Sequence, residues 1–137
     1  MPIRILIVDD HDGWRHRVRS LLQALPELRD ICEASDGLEA VQRAEEMKPE
    51  LIVLDIGLPE LNGIEAARQI RQLSPNSKII FLSQNNPLDF AHGALSTGAL
   101  AYVYKAQAGS ELLPAAEAVL QGREFVSREL NPSAISR

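Results

Sequence analysis

Four short apolar runs recur along the chain, at Ile3 to Val8, Leu51 to Leu54, Lys78 to Leu82 and Leu100 to Tyr104. Each is nearly continuous in Ile, Val and Leu. Strict alternation would mark a sheet with one wet face, whereas continuous runs of this length mark strands buried on both faces, as in a parallel sheet covered by helices. A weaker fifth strand fits Ile31 to Ala34. Between the runs the apolar residues switch to helical spacing. Val18, Leu21, Leu22 and Leu25 make one stripe, Leu38, Val41 and Ala44 a second, Ile64, Ala67 and Ile70 a third, and Leu112, Ala116, Val119 and Leu120 a fourth. A less apolar helix fits Leu88 to Thr97. Strand alternating with helix in this way predicts an open, doubly wound α/β sheet, in which ligands bind at the carboxyl ends of the strands.

The residues between elements agree with that reading. Asp36 with Glu39, and Asn62 with Glu65, have the cap-x-x-Glu spacing that satisfies orphan backbone N–H groups at a helix start. Ser110 is the expected cap of the last helix, with Pro114 in its first turn and Gly122 closing it. At 137 residues the chain has the size of one domain. Its single cysteine, Cys32, excludes a disulfide framework and a zinc site built on paired cysteines, and fits a reducing cytoplasmic setting. Cys32, on a predicted strand, reads as inert core. There is no signal peptide, and no stretch approaches the roughly 20 apolar residues of a membrane span. Residues 1–60 carry 7 basic and 13 acidic groups, whereas residues 61–137 carry 7 and 6. The acidity belongs to the first part, and no basic stripe suits nucleic acid.

The residues at the predicted strand ends are chemically selective. The first strand ends in Asp9-Asp10 with Asp12 close behind, the third in Asp55, the fourth in Ser83 and the fifth in Lys105. In a parallel sheet these ends converge on one edge, where crowded carboxylates require a neutralising cation. A hard divalent ion meets the need: Mg²⁺ by preference, with Mn²⁺ as a substitute. A carboxylate nucleophile, Mg²⁺, a fixed ammonium and a hydroxyl together make a phosphoryl-transfer site.

In these residues the chain resembles the receiver domains of two-component response regulators. The likeness is carried by Asp9-Asp10, by Asp55-Ile56-Gly57-Leu58-Pro59-Glu60-Leu61-Asn62-Gly63-Ile64-Glu65, by Ser83 and by Ala101-Tyr102-Val103-Tyr104-Lys105. Asp9-Asp10-His11, Asp36-Gly37-Leu38-Glu39-Ala40 and Glu124-Phe125-Val126-Ser127 are most similar to the NarL/FixJ (LuxR-type) group. The resemblance implies a CheY-like, flavodoxin-like (βα)5 fold, a five-stranded parallel sheet of order 2-1-3-4-5 with five helices. It implies a receiver over residues 1–127 and a tail or interdomain linker over 128–137. It also implies a phosphoprotein that is not an enzyme beyond phosphotransfer to itself and self-dephosphorylation. Asp55 would accept the phosphoryl group from a sensor histidine kinase. Asp10, Asp55 and the Gly57 carbonyl would hold Mg²⁺, Asp9 acting through water. Lys105 would contact the phosphoryl group, Ser83 would hydrogen-bond it, and Tyr102 would swing inward. The switching face would be the helix near 88–97, the fifth strand and the last helix, which is also the face for a homodimer. DNA binding would belong to a domain not present in this chain.

Three features depart from the common pattern. Gln84 stands where receivers place a small residue, and is expected to slow entry of phosphodonor or water. Gly57 leaves no side chain at the second position after Asp55. The first loop reads Asp-Asp-His-Asp-Gly-Trp, which places the sole tryptophan, Trp14, near the metal loop. The rival reading is an atypical receiver acting as a phosphorylation-independent interaction module. An aspartate-based phosphatase would want an acid where Gly57 stands, and a dinucleotide binder would want glycines where Asp9-Asp10-His11-Asp12 stands.

Overall fold

The structure is a computed structural model that describes residues 2–84 and 97–126. The sheet contains β1 (Ile3–Val8), β2 (Leu28–Ala34), β3 (Leu51–Asp55), β4 (Lys78–Ser83), β5 (Ala101–Tyr104) and β6 (Phe125–Val126). Its strands are all parallel, in the order β2-β1-β3-β4-β5-β6. The described helices are α1 (Asp12–Leu22), α2 (Gly37–Met47), α3 (Gly63–Leu73) and α4 (Ala108–Leu120). The helix expected near 88–97 and the tail at 128–137 lie essentially outside the described residues.

The continuous apolar runs are explained by burial on both faces. Leu6, Val8, Ile52, Leu54, Ile79, Phe81 and Tyr102 face the layer of α2 and α3. Their alternates Ile5, Ile7, Leu51, Val53, Ile80, Leu82 and Val103 face α1 and α4. Small residues let the helices approach closely: Ala40, Ala44, Ala66 and Ala67 on one side, Ala115 and Ala116 on the other, all fully buried. Truncating a central side chain such as Phe81, also fully buried, costs about 3–5 kcal/mol.

The cap half of each pair forms as expected, whereas the return half does not: Glu39 accepts the Ser35 N–H and Glu65 pairs with Arg68. The Glu39 N–H donates to Asp36 Oδ1 at 2.8 Å and the Glu65 N–H to Asn62 Oδ1 at 3.0 Å. At the close of α4, Gly122 adopts φ +80, its N–H donates to Val119 and that of Arg123 to Ala118.

Several expectations need correction. The sheet has a sixth strand, two residues long, which pairs Phe125 with Ala101 and Val126 with Tyr102. Helix α4 begins at Ala108 because a 3-10 turn over Lys105–Gln107 runs straight into it, so Ser110 is no cap and Pro114 lies inside the helix. The carbonyl that Pro114 leaves without a donor belongs to exposed Ser110 and meets solvent. Leu38 is 56% exposed, because α2 turns Ala40 and Ala44 to the sheet instead. Cys32 is only half-buried, since β2 is an outer strand.

Candidate functional site

Strand β1 carries the chain from a fully apolar interior to Asp9, which remains buried, and then to exposed Asp10. The Asp9 N–H donates to Ala34 on β2 at 3.1 Å. Its carboxylate accepts from the His11 N–H at 2.9 Å. His11 stands at the N-cap position of α1 without capping it through its side chain, and brings Nδ1 to 3.1 Å from Asp10 and 3.3 Å from Asp9. Arg15, in the first turns of α1, clamps the loop from the other side. Its guanidinium donates to the Asp9 carbonyl at 2.7 Å and to Glu33 on β2 at 2.8 Å, and it also pairs with Asp12. Arg19 adds a second donor to Glu33 at 2.6 Å, and the two arginines, Arg19 foremost, hold the Glu33 carboxyl below its usual range against the effect of burial.

Strand β3 delivers Asp55 at its last position, buried. Gly63 opens α3 directly beneath: a Cβ there would fall 2.1 Å from the Asp55 carbonyl, so only glycine lets the helix start so close to the strand end. One Asp55 oxygen accepts the Gly57 N–H at 3.3 Å, and the other lies 3.6 Å from Lys105 Nζ. Lys105 opens the 3-10 turn after β5 and returns beneath the sheet edge to meet Asp9 Oδ2 at 2.7 Å. Its ammonium also sits 4.7 Å from the centre of the Trp14 ring.

Three carboxylates, Asp9, Asp10 and Asp55, thus face one ammonium. Burial is the largest influence on Asp55 and pushes its carboxyl above the usual range; Lys105 opposes this, Asp9 adds to it, the Gly57 N–H opposes and Asp10 adds. Asp9, Asp10 and His11 offer ligand atoms within 4.8 Å of one another. A cavity of about 510 Å³ opens over Asp55, bounded by Asp10, Gly57, Glu65, Ser83 and Gln84. The space above Gly57 is clear, since a Cβ there would touch nothing within 4 Å.

Ser83 ends β4 and is buried at the cavity wall. Tyr102 is fully buried already and packs against Phe81, its neighbour in register, so the aromatic occupies the inward position in this structure. Burial raises the Tyr102 phenol above its ordinary value, with Ser83 close enough to oppose the shift. The two groups nevertheless fall short of hydrogen-bond geometry, and the phenol oxygen is buried unpaired. Every residue singled out from the sequence therefore lies at or beside one edge of the sheet. Arg15, Glu33 and the contact of Trp14 with Lys105 were not foreseen. The hints were the spacing of Asp12 and Arg15 on one helix and the place of Trp14 next to the metal loop.

Comparison with known proteins decides the family. The model of the response regulator receiver domain matches residues 5–117. The chain is a response regulator receiver domain. This receiver is 41% identical over 123 residues to a putative transcriptional regulator of Pseudomonas aeruginosa, covering 87% of the chain and 57% of that protein. It is 33% identical over 131 residues to the nitrate/nitrite response regulator NarL of Escherichia coli, covering 96% of the chain and 61% of NarL. A crystal structure of a LuxR-family two-component response regulator from an Aurantimonas species superimposes with a TM-score of 0.91 at 34% identity, covering 99% of the chain and 97% of that one. The fold is the CheY-like parallel sheet, and the relatives are regulators of the NarL/LuxR type. The receiver spans about three-fifths of the length of the curated relatives it matches.

Proposed function

We propose that this receiver accepts a phosphoryl group on Asp55 from the phosphohistidine of a sensor kinase, and that the modification controls a transcriptional output carried by a further domain. The observation that carries the reading is Asp55 itself. It is a buried carboxylate held by one long hydrogen bond and one long ion pair, facing an open cavity, with Asp9, Asp10 and Lys105 around it.

In the reaction an Asp55 oxygen attacks phosphorus, the phosphorus–nitrogen bond of the donor breaks, and the imidazole leaves with the electron pair and takes a proton. Raising the Asp55 carboxyl by burial makes it a more basic, better nucleophile. Lys105 stands within reach of the new phosphoryl oxygens. The donors present fit Mg²⁺, being oxygens with more negative charge than Lys105 cancels. Asp10, Asp55 and the Gly57 carbonyl would hold the ion, with Asp9, already engaged by Lys105 and the His11 N–H, acting through water. The ion supplies charge neutralisation on the phosphoryl oxygens.

Ser83 then hydrogen-bonds the phosphoryl group, and the unpaired phenol of Tyr102 behind it responds to that movement. The relatives named as transcriptional regulators support a transcriptional output outside these residues; the homodimer that belongs to the same proposal would use the β5 and α4 side. No helix among the described residues is long and apolar enough to cross a membrane; the cytoplasmic site of action belongs to the proposed transfer from a sensor kinase.

The test is phosphorylation by acetyl phosphate with Mg²⁺, read by intact mass. One phosphoryl group is expected on the wild-type chain and none on Asp55→Asn. Equal labelling of both sinks the assignment of Asp55, and labelling of neither sinks the reading and favours a phosphorylation-independent interaction module.

A further inference from the structure

We propose that Trp14 is a positioning residue for Lys105, its indole face holding the ammonium at the place from which it moves to a phosphoryl group on Asp55. The inference rests on the phosphoacceptor reading of Asp55 given above.

The Lys105 side chain is 2% exposed, and a buried ammonium is costly unless its donors are matched. Among the described residues Nζ makes one hydrogen bond, to Asp9 at 2.7 Å, while Asp55 at 3.6 Å is beyond hydrogen-bond length. The Trp14 ring supplies another partner, its centre 4.7 Å from Nζ and well inside the range at which an aromatic face attracts a cation. The chemistry of that partner matters. A carboxylate in its place would anchor Lys105 and repel an arriving phosphoryl group, and an aliphatic side chain would offer no attraction. An indole face attracts without net charge and without a fixed hydrogen-bond direction, so the ammonium can shift toward Asp55 at little cost.

The ring is also on a firm support. Trp14 is the third residue of α1 and half-buried, and its neighbour Arg15 ties the same turn to the Asp9 carbonyl at 2.7 Å. Asp9 and Trp14 therefore reach Lys105 from the two sides of the clamped junction between β1 and α1, the first as a fixed acceptor and the second as a yielding one.

The experiment compares wild type, Trp14→Leu and Trp14→Phe in acetyl phosphate labelling, with Mg²⁺ affinity from calorimetry and melting curves alongside. Trp14→Leu is expected to slow labelling about fivefold and Trp14→Phe to recover to within about twofold of wild type. Mg²⁺ affinity should be the same in all three. Because Trp14 is the sole tryptophan, its emission reads the contact directly. Adding beryllofluoride to the Mg²⁺-saturated wild type should change that emission, as Lys105 leaves the ring for the phosphoryl mimic. Equal rates for the Leu and Phe variants overturn the inference, as do rates that merely follow a shared loss of melting temperature. So does unaltered emission at a beryllofluoride concentration that saturates the binding heat. If the wild type takes up no phosphoryl group on Asp55, the functional reading fails and the inference with it; normal labelling with equal variants removes the role of Trp14 alone.

Discussion

At the amino edge of the sheet Ser74 and Ser77 are as deeply buried as Asp9 and Lys105 are at the carboxyl edge. The two serines exhaust each other's needs. Their hydroxyls lie 2.6 Å apart, and Ser77 donates onward to the Pro49 carbonyl at 2.5 Å. The same edge is stitched by Glu50, whose backbone N–H donates to Arg4, whose carbonyl accepts from Lys78 and whose side chain accepts the Arg4 N–H. The two serines are neutral and spend their buried hydroxyls on each other and on a carbonyl, even though a cavity of about 300 Å³ lies beside them. At the other edge the buried groups are charged and outnumber their partners: Asp55 retains one contact at 3.3 Å and one at 3.6 Å. Buried polarity alone does not mark a site. Buried charge with acceptor capacity left over, facing a cavity, does.

The sharpest way to break this contrast is Asp55→Asn, which should abolish Mg²⁺-dependent labelling by acetyl phosphate; residual labelling at the wild-type rate would show that the carboxyl edge is as passive as the amino one. Next in size is Lys105→Met. Removing the one ammonium leaves Asp9 and Asp55 facing each other uncompensated, with an expected loss of about 3–5 kcal/mol in denaturant unfolding. Mg²⁺ should restore part of that loss, and no restoration would argue against a cation site here. At the amino edge, Ser77→Ala should cost about 1–3 kcal/mol, because Ser74 and the Pro49 carbonyl lose their partner, and should leave the labelling rate unchanged.

A smaller effect distinguishes the edges by pH. The folded-state carboxyl of Asp55 titrates above its ordinary value of 3.8, so between that value and the raised one the folded chain binds more protons than the unfolded one. Stability from this group is therefore lost as pH rises through that window. In metal-free unfolding curves the stability gap in favour of Asp55→Asn should open as pH rises; a gap independent of pH would contradict the burial of an ionised Asp55. Smallest of all, Gln84→Ala should speed labelling or dephosphorylation a few-fold by clearing the cavity rim, as stopped-flow or mass time courses will show.

Much of this was legible in the sequence because it depends on local pattern. Continuous Ile, Val and Leu gave strands buried on both faces, and each strand end could be read one residue further, which placed Asp9, Asp10, Asp55, Ser83 and Lys105 at one edge. The caps at Asp36 and Asn62 were equally local. What was not legible depends on tertiary contact. Phe125 and Val126 are a strand only because the edge of β5 is there to pair with. Helix α4 starts before its best capping residue because the turn at Lys105, fixed by Asp9 some 96 residues away, is already helical in sense. Arg15 and Glu33 meet because β2 lies beside β1, a neighbourhood that no spacing in the sequence encodes.

The two-residue strand β6 has one more consequence. A sheet that ended at β5 would present Ala101 and Tyr102 with free backbone donors and acceptors, a template on which a second molecule's strand could assemble. Phe125 and Val126 occupy that template from within the same chain, and at the opposite margin Arg29, Asp30 and Glu33 line β2 with charge. Strand addition by a second copy is thereby disfavoured along Ala101 and Tyr102, the part of the β5 edge that β6 covers.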